Sequence, residues 1–375
     1  MKQLLKWVAW PFVVLMALAR WAGGTFLISA LALFPVALVA ELVFRKHHPW
    51  KLHLLTAAGA SLVIGALVGA AAWLGLKFPD LSIPGLALKD DAPGVRKGAT
   101  RGESLTAQGV AALRAAHQLV DDLPRILDDP ISVQLVGPDF VSRIAANSER
   151  LRDPQVSALR CHVLLRSRYA EDRLGVCVQE GVRQCVIIGA GLDTFAYRQP
   201  PEPDDFRVFE VDHRASQESK RELLAKAAIS IPANLTFVEL DIEKRSLRET
   251  LVHAGVDPTR PAFFSCLGVL VYLTRNAVRD LFRAVAGFPP GSEIVFTYAG
   301  SVNTDDDPTW LANRAKTLGE PWLSGFSAEE LVGELREAGF HAIEFLSREA
   351  AARYVGHRTD GLEPPRRVRI ASARV

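Results

Sequence analysis

The chain has 375 residues, of which 49% are hydrophobic and 23% charged, with 44 Lys+Arg against 42 Asp+Glu and a net charge of +2. So balanced a charge gives no electrostatic footprint for a nucleic-acid partner. Four scattered cysteines without a CxxC pair are expected to be buried free thiols, not disulfides or a zinc site.

The N-terminal part is dominated by uncharged apolar runs. The runs 21–40 and 54–76 contain no Asp, Glu, Lys or Arg, and each reaches the roughly 20 residues that a spanning helix requires. Residues 1–80 are therefore expected to form a membrane region with spans at about 21–40 and 54–76. The shorter run before them, after Lys2 and Lys6 and broken by Pro11, reads as an interfacial helix, an extension of the first span or a signal peptide. Topology is contested. The basic connector Arg45-Lys46-His47-His48 favours a cytoplasmic loop. The basic residues flanking both spans, and the cofactor argued below, favour a cytoplasmic C-terminal domain in a multi-pass inner-membrane protein. Residues 81–101, with Pro84, Pro93 and mixed charge, read as a linker.

From residue 102 the pattern is that of an α/β domain running to 375. Leu105, Val110, Leu113, Ala116 and Val120 recur at helical spacing until Pro124, and a second helix is expected over 154–180. Strands and helices then alternate. Strands are expected at 185–188, 207–211, 235–240, 262–266 and 293–298, with closing strands at 341–346 and 368–372. The helices between them are expected at 216–228, 247–254, 275–286 and 327–338. Such alternation predicts a doubly wound, mostly parallel sheet covered on both faces.

In such a sheet ligands sit at the carboxyl ends of the strands. The first strand runs into Gly189-Ala190-Gly191-Leu192-Asp193-Thr194. Glycines there let backbone approach a ligand closely. A dinucleotide fingerprint wants Gly or Ala where Thr194 stands, so a nicotinamide-dependent reductase is disfavoured. Acidic residues close the next two strands. Glu210 and Asp212 are placed to accept hydrogen bonds from a ribose diol, and Asp241 to meet an adenine amino group. This combination points to S-adenosylmethionine (SAM).

At these residues the chain resembles the SAM-dependent methyltransferases of the leucine carboxyl methyltransferase superfamily, in particular their bacterial, actinobacterial branch. The resemblance runs from Ser104-Leu105-Thr106-Ala107, through Asp128-Asp129-Pro130, Arg166-Ser167-Arg168-Tyr169 and the glycine motif with Tyr197-Arg198. It continues through Phe209-Glu210-Val211-Asp212, Asp241-Ile242, Val271-Tyr272-Leu273 and Gly319-Glu320-Pro321-Trp322 to Arg358-Thr359-Asp360. It implies a class I methyltransferase fold, a methyl-transfer activity and SAM as cofactor. It implies that Arg166 pairs with the methionine carboxylate, that Gly189 and Gly191 line the methionine portion, and that Asp193 is a further cofactor-binding residue. Asp212, with Glu210 as the other candidate, would hold the ribose, and Asp241 and Ile242 the adenine. Leu267 stands where the family usually has glutamate.

Two functions remain in play on these grounds. One is an O-methyltransferase acting on a carboxylate or hydroxyl of a small or lipid-like, hydrophobic acceptor. The other is a non-catalytic membrane protein with a degenerate SAM-binding fold, motivated by Leu267. No histidine base is evident in the motifs: His213 reads as a helix-start residue. Tyr272 and Tyr298 read as packing or acceptor-lining residues.

Overall fold

The computed structural model describes residues 104–200, 203–300 and 309–375. These belong to one unit of the chain, Ser82–Val375. The expected spans at 21–40 and 54–76 and the linker 81–101 lie outside the described residues. Among the described residues, no helix is long and apolar enough to cross a membrane.

Helix α1 (Leu105–Val120) starts where the Ser104 side chain accepts a hydrogen bond from the Ala107 N–H, and buries Ala111 to His117. Three short helices follow, α2 (Pro130–Val136), α3 (Pro138–Ala146) and α4 (Ser148–Leu151). The long α5 (Pro154–Gln179) begins with Asp153 capping and Pro154 in the first turn, where a missing N–H costs nothing. Leu113, Ala116, Ile144, Val156 and Val163 pack α1, α3 and α5 into a helical layer of their own.

The sheet begins at β1 (Gln184–Ile188), which is buried throughout. Next come α6 (Phe195–Arg198), β2 (Arg207–Asp212), α7 (Arg214–Lys226), β3 (Leu235–Glu239), α8 (Leu247–His253) and β4 (Phe263–Cys266). A 3₁₀ turn (Leu270–Tyr272) leads to α9 (Arg275–Ala286) and β5 (Glu293–Thr297). The chain closes with α10 (Thr309–Thr317), α11 (Ala328–Ala338), β6 (Ala342–Phe345), α12 (Arg348–Val355) and β7 (Ile370–Arg374).

The seven strands lie in the order β3-β2-β1-β4-β5-β7-β6. The first five are parallel, and β7 runs antiparallel between β5 and β6. Alternation along each strand divides the core. Val186, Phe209, Phe264 and Phe296 face α8, α9 and α11; Cys185, Ile187, Val208, Phe263 and Val295 face α5 and α12. Chain direction across the sheet reverses between β1 and β4, so the crevice for a ligand opens at their carboxyl ends.

The expected strands are all present, with ends shifted by a residue or two. The class I methyltransferase expectation is met in a mixed sheet. Cys161, Cys177, Cys185 and Cys266 are all free and buried, as their scatter suggested.

Candidate functional site

The crevice is built from the loops after β1 and β4. Gly189 has φ +65°, and a Cβ there would lie 2.3 Å from Cγ2 of Val269 in the loop after β4. Only glycine lets the two loops meet so closely. The Gly189 and Ala190 N–H groups both donate to the Val211 carbonyl, at 2.8 and 3.1 Å, which turns the loop back over β2. The Gly191 N–H donates to Oδ2 of Asp212 at 2.6 Å. Ala107 of α1 packs over Gly191, so the start of α1 covers the glycine loop.

Arg166 reaches this crevice from α5. Its guanidinium lies against Gly268, where a Cβ would come within 2.7 Å of Nη1. Its Nε is buried and has no hydrogen-bond partner among the described residues. Burial and the neighbouring Arg114 push its pKa down to about 10, against the opposing pull of Tyr272 and Asp193. A buried donor left without a partner costs about 1–3 kcal/mol. The guanidinium calls for an anion.

Asp193 closes the glycine loop, its Oδ1 accepting from the Phe195 N–H at 2.8 Å. Asp212 is partly exposed at the end of β2, and its Oδ1 accepts from the His213 N–H at 2.6 Å. Each of its oxygens thus takes one backbone N–H and keeps a lone pair in reserve. Glu210 is different. It is 1% exposed, and its Oε2 is paired with the Lys220 ammonium at 2.6 Å beneath the surface. Burial pushes its pKa up to about 7 despite that lysine. Asp241 follows β3, paired at 2.7 Å with an exposed Lys244. Burial works against ionisation there, but Lys244, His213 and the Glu243 N–H outweigh it and lower its pKa. The neighbouring Ile242 packs its side chain on the core.

The structure therefore brings Arg166, Gly189, Gly191, Asp193 and Asp212 to one crevice, with Asp241 and Ile242 at the next strand end. Glu210 stands apart in a buried pair. His213 caps α7 and is exposed, as its position suggested. Tyr298 packs edge-on against Phe345, at 5.8 Å between ring centres. Leu267 packs against the cluster that includes Phe263 and Val295, filling its place with hydrocarbon.

A second set of residues holds the loop. Arg114 donates from Nε to Asp129 at 2.9 Å and from Nη2 to the Leu192 carbonyl. Asp129 is fully buried and also faces Arg198, whose Nε donates to Thr194 at 3.0 Å and which is paired with Glu171. Thr194, the residue that excluded a dinucleotide fingerprint, is thus an anchor for α6. Glu320 ties down the other side: it accepts from the Leu105 N–H at 2.9 Å and from the Ser104 and Thr106 hydroxyls. These partners are far apart in sequence, and no local spacing joins Arg114 to Asp129 or Glu320 to Ser104. His162 is different. It lies one helical turn before Arg166 on α5, and that spacing was legible.

The family model for leucine carboxyl methyltransferase matches residues 107–286. The chain is similar to a Bacillus subtilis (strain 168) protein named as an S-adenosyl-L-methionine-dependent methyltransferase, with 34% identity over 273 residues, 65% of this chain and 88% of the relative. The chain belongs to the leucine carboxyl methyltransferase family. It is also similar to a Mycobacterium marinum protein of the same kind of name, with 32% identity, covering 63% of this chain and 82% of the relative. A methyltransferase structure from Thermobifida fusca YX shares 18% identity over 71% of this chain and 93% of that one, with a TM-score of 0.44. This family member is a SAM-dependent methyltransferase, and SAM is its cofactor. The crevice fits that cofactor: Arg166, whose buried Nε no described residue engages, suits a carboxylate.

Proposed function

We propose that this family member is an O-methyltransferase, and that the unpaired Arg166 guanidinium at the carboxyl ends of β1 and β4 is the anchor of its cofactor. Arg166 holds the methionine carboxylate with its planar fork. Gly189, Gly191 and Asp193 line the methionine portion. Asp212 uses its two spare lone pairs for the ribose hydroxyls, while Glu210, fixed by Lys220, supports the strand end. Asp241 and the Ile242 backbone receive the adenine.

Bound there, SAM supplies an electrophilic methyl on a sulfonium. What the chain contributes is alignment and exclusion of water. The Asp129-centred ion pairs fix the glycine loop, and Glu320 fastens α1 over it. A carboxylate or hydroxyl oxygen is the acceptor. Leu267, where the family usually has glutamate, removes a carboxylate from the loop after β4, which favours a hydrophobic acceptor. The apolar runs 21–40 and 54–76, outside the described residues, lead us to place the enzyme at a membrane with its catalytic domain in the cytoplasm.

Calorimetric titration of the full chain with S-adenosylhomocysteine tests the anchor. Saturable binding that Arg166→Met weakens at least about tenfold, or 1.4 kcal/mol, is expected. Equal binding by wild type and variant would remove Arg166 from the site. Transfer of labelled methyl from SAM into a cell extract tests the acceptor atom. Label on oxygen supports the reading, and label on nitrogen or carbon contradicts it.

A further inference from the structure

We propose that His162 is the base that receives the acceptor's proton, and that the acceptor therefore presents a neutral hydroxyl. This rests on the reading of Arg166 as the cofactor anchor.

The placement comes from the face that α5 turns to the sheet. Arg173 pairs with Glu293 at the start of β5. Tyr169, one turn back, meets Ser372 of β7 at 3.1 Å. Arg166, the next turn, lies against Gly268 beyond the end of β4. His162 continues the row by one more turn, about 5.4 Å further along the axis. It therefore stands beyond the strand ends, one turn past the anchor on the same face of α5. It is closely surrounded by protein yet keeps accessible surface, as a residue in a cleft wall does. None of the hydrogen bonds or ion pairs among the described residues uses its ring.

The charges around it select its form. Arg166 faces it from the same helix, and burial and that guanidinium, in this order, drive its pKa down to about 3. Arg166 is in turn flanked by Arg114 of α1, Asp193 of the glycine loop and Tyr272 of the 3₁₀ turn. The imidazole is thus neutral at pH 7 and has a lone pair to offer. Once a carboxylate neutralises Arg166, the smaller of the two depressing causes is offset while burial remains, and the basicity of His162 rises. Arg114, the other guanidinium beside Arg166, is already bound to Asp129 and the Leu192 carbonyl. With Arg166 also engaged, neither is left to hold an anionic acceptor. A neutral hydroxyl needs no cation but must lose a proton. In the step, the hydroxyl oxygen forms the O–CH₃ bond while the CH₃–S bond breaks, its electron pair staying on sulfur. The O–H pair stays on oxygen, and the proton passes to His162 and then to water.

The test is carbon-13 NMR of histidine-labelled full chain, with the His162 resonance assigned by its loss in His162→Gln and, independently, in His162→Asn. In the free protein the resonance should not titrate between pH 5 and 8. It should shift its midpoint upward by about one unit or more on saturation with S-adenosylhomocysteine. In Arg166→Met the free-protein midpoint should already be raised. Phenol added to the S-adenosylhomocysteine complex should move the resonance, and benzoate should not. An ordinary titration near 6.5 in the free protein, no response to S-adenosylhomocysteine, or a response to benzoate but not phenol would overturn the proposal. Failure of S-adenosylhomocysteine to bind at all would overturn the cofactor anchor as well, which separates the two failures.

Discussion

The guanidinium of Arg166 and the Cα of Gly268 are in direct contact: a Cβ on Gly268 would lie 2.7 Å from Nη1 and 3.3 Å from Cζ. Gly268 has φ +79°, and its N–H donates to the Thr297 hydroxyl at 2.6 Å. The loop after β4 is thus shaped to seat an arginine arriving from α5. Gly268→Ala should displace the guanidinium and weaken S-adenosylhomocysteine binding by about tenfold or more, equivalent to 1.4 kcal/mol. Calorimetry on the folded variant checks this; unchanged affinity would show that the seat is irrelevant to the ligand.

Arg166→Lys keeps a positive charge but loses the fork and its reach. Binding should fall by about 1.5–3 kcal/mol, the worth of hydrogen bonds to a charged group. A lysine variant binding as tightly as wild type would reduce the role of Arg166 to that of a point charge.

Asp212 and Glu210 are expected to separate cleanly. Asp212→Asn should weaken S-adenosylhomocysteine binding. Glu210→Gln leaves the buried Lys220 without its carboxylate, so it should cost about 3 kcal/mol of stability and spare binding measured below the melting transition. Denaturant midpoints beside calorimetric affinities check both. Loss of binding in a stable Glu210→Gln protein would return Glu210 to the ribose role.

Acid stability should depend on Asp360. Its carboxylate takes Arg358 and the N–H groups of Asp122 and Leu362, which outweigh burial and hold its pKa down to about 2. A depressed folded pKa stabilises above the unfolded value near 3.8 and loses that contribution as pH falls toward 2. The contribution is about 2 kcal/mol. Asp360→Asn should lower stability at pH 7 and flatten the loss between pH 4 and 2. A parallel acid profile for wild type and variant would contradict this.

Much of the fold could be read because the central strands β1, β4 and β5 are short, fully buried runs and several of the helices carry a side-chain cap. Helix 275–286 was expected within the very bounds that α9 has. The antiparallel β7 between β5 and β6 could not be read, because pairing direction leaves no mark on a short buried run. Helices α2 to α4 were missed, since Pro130, Pro138 and Gly137 look like loop punctuation and in fact start helices. In the site, Arg166 and the glycines followed from motifs. The pairing of Glu210 with Lys220 did not, because strand alternation does not say which of two acids a helix will cover. The anchors Asp129 and Glu320 belonged to quoted motifs, but their purpose depends on partners that only the fold brings near.

Fractionation tests the membrane placement: the full chain should stay with membranes through an alkaline carbonate wash. A reporter fused after Val375 should be active in the cytoplasm. Release by carbonate, or a reporter active only outside, would contradict that part of the account.

The most direct measurement is calorimetric titration of the full chain with S-adenosylhomocysteine, beside Asp212→Ala. The account predicts saturable one-to-one binding to wild type and its loss in the variant. No binding to a folded wild-type chain, or undiminished binding to Asp212→Ala, would contradict it.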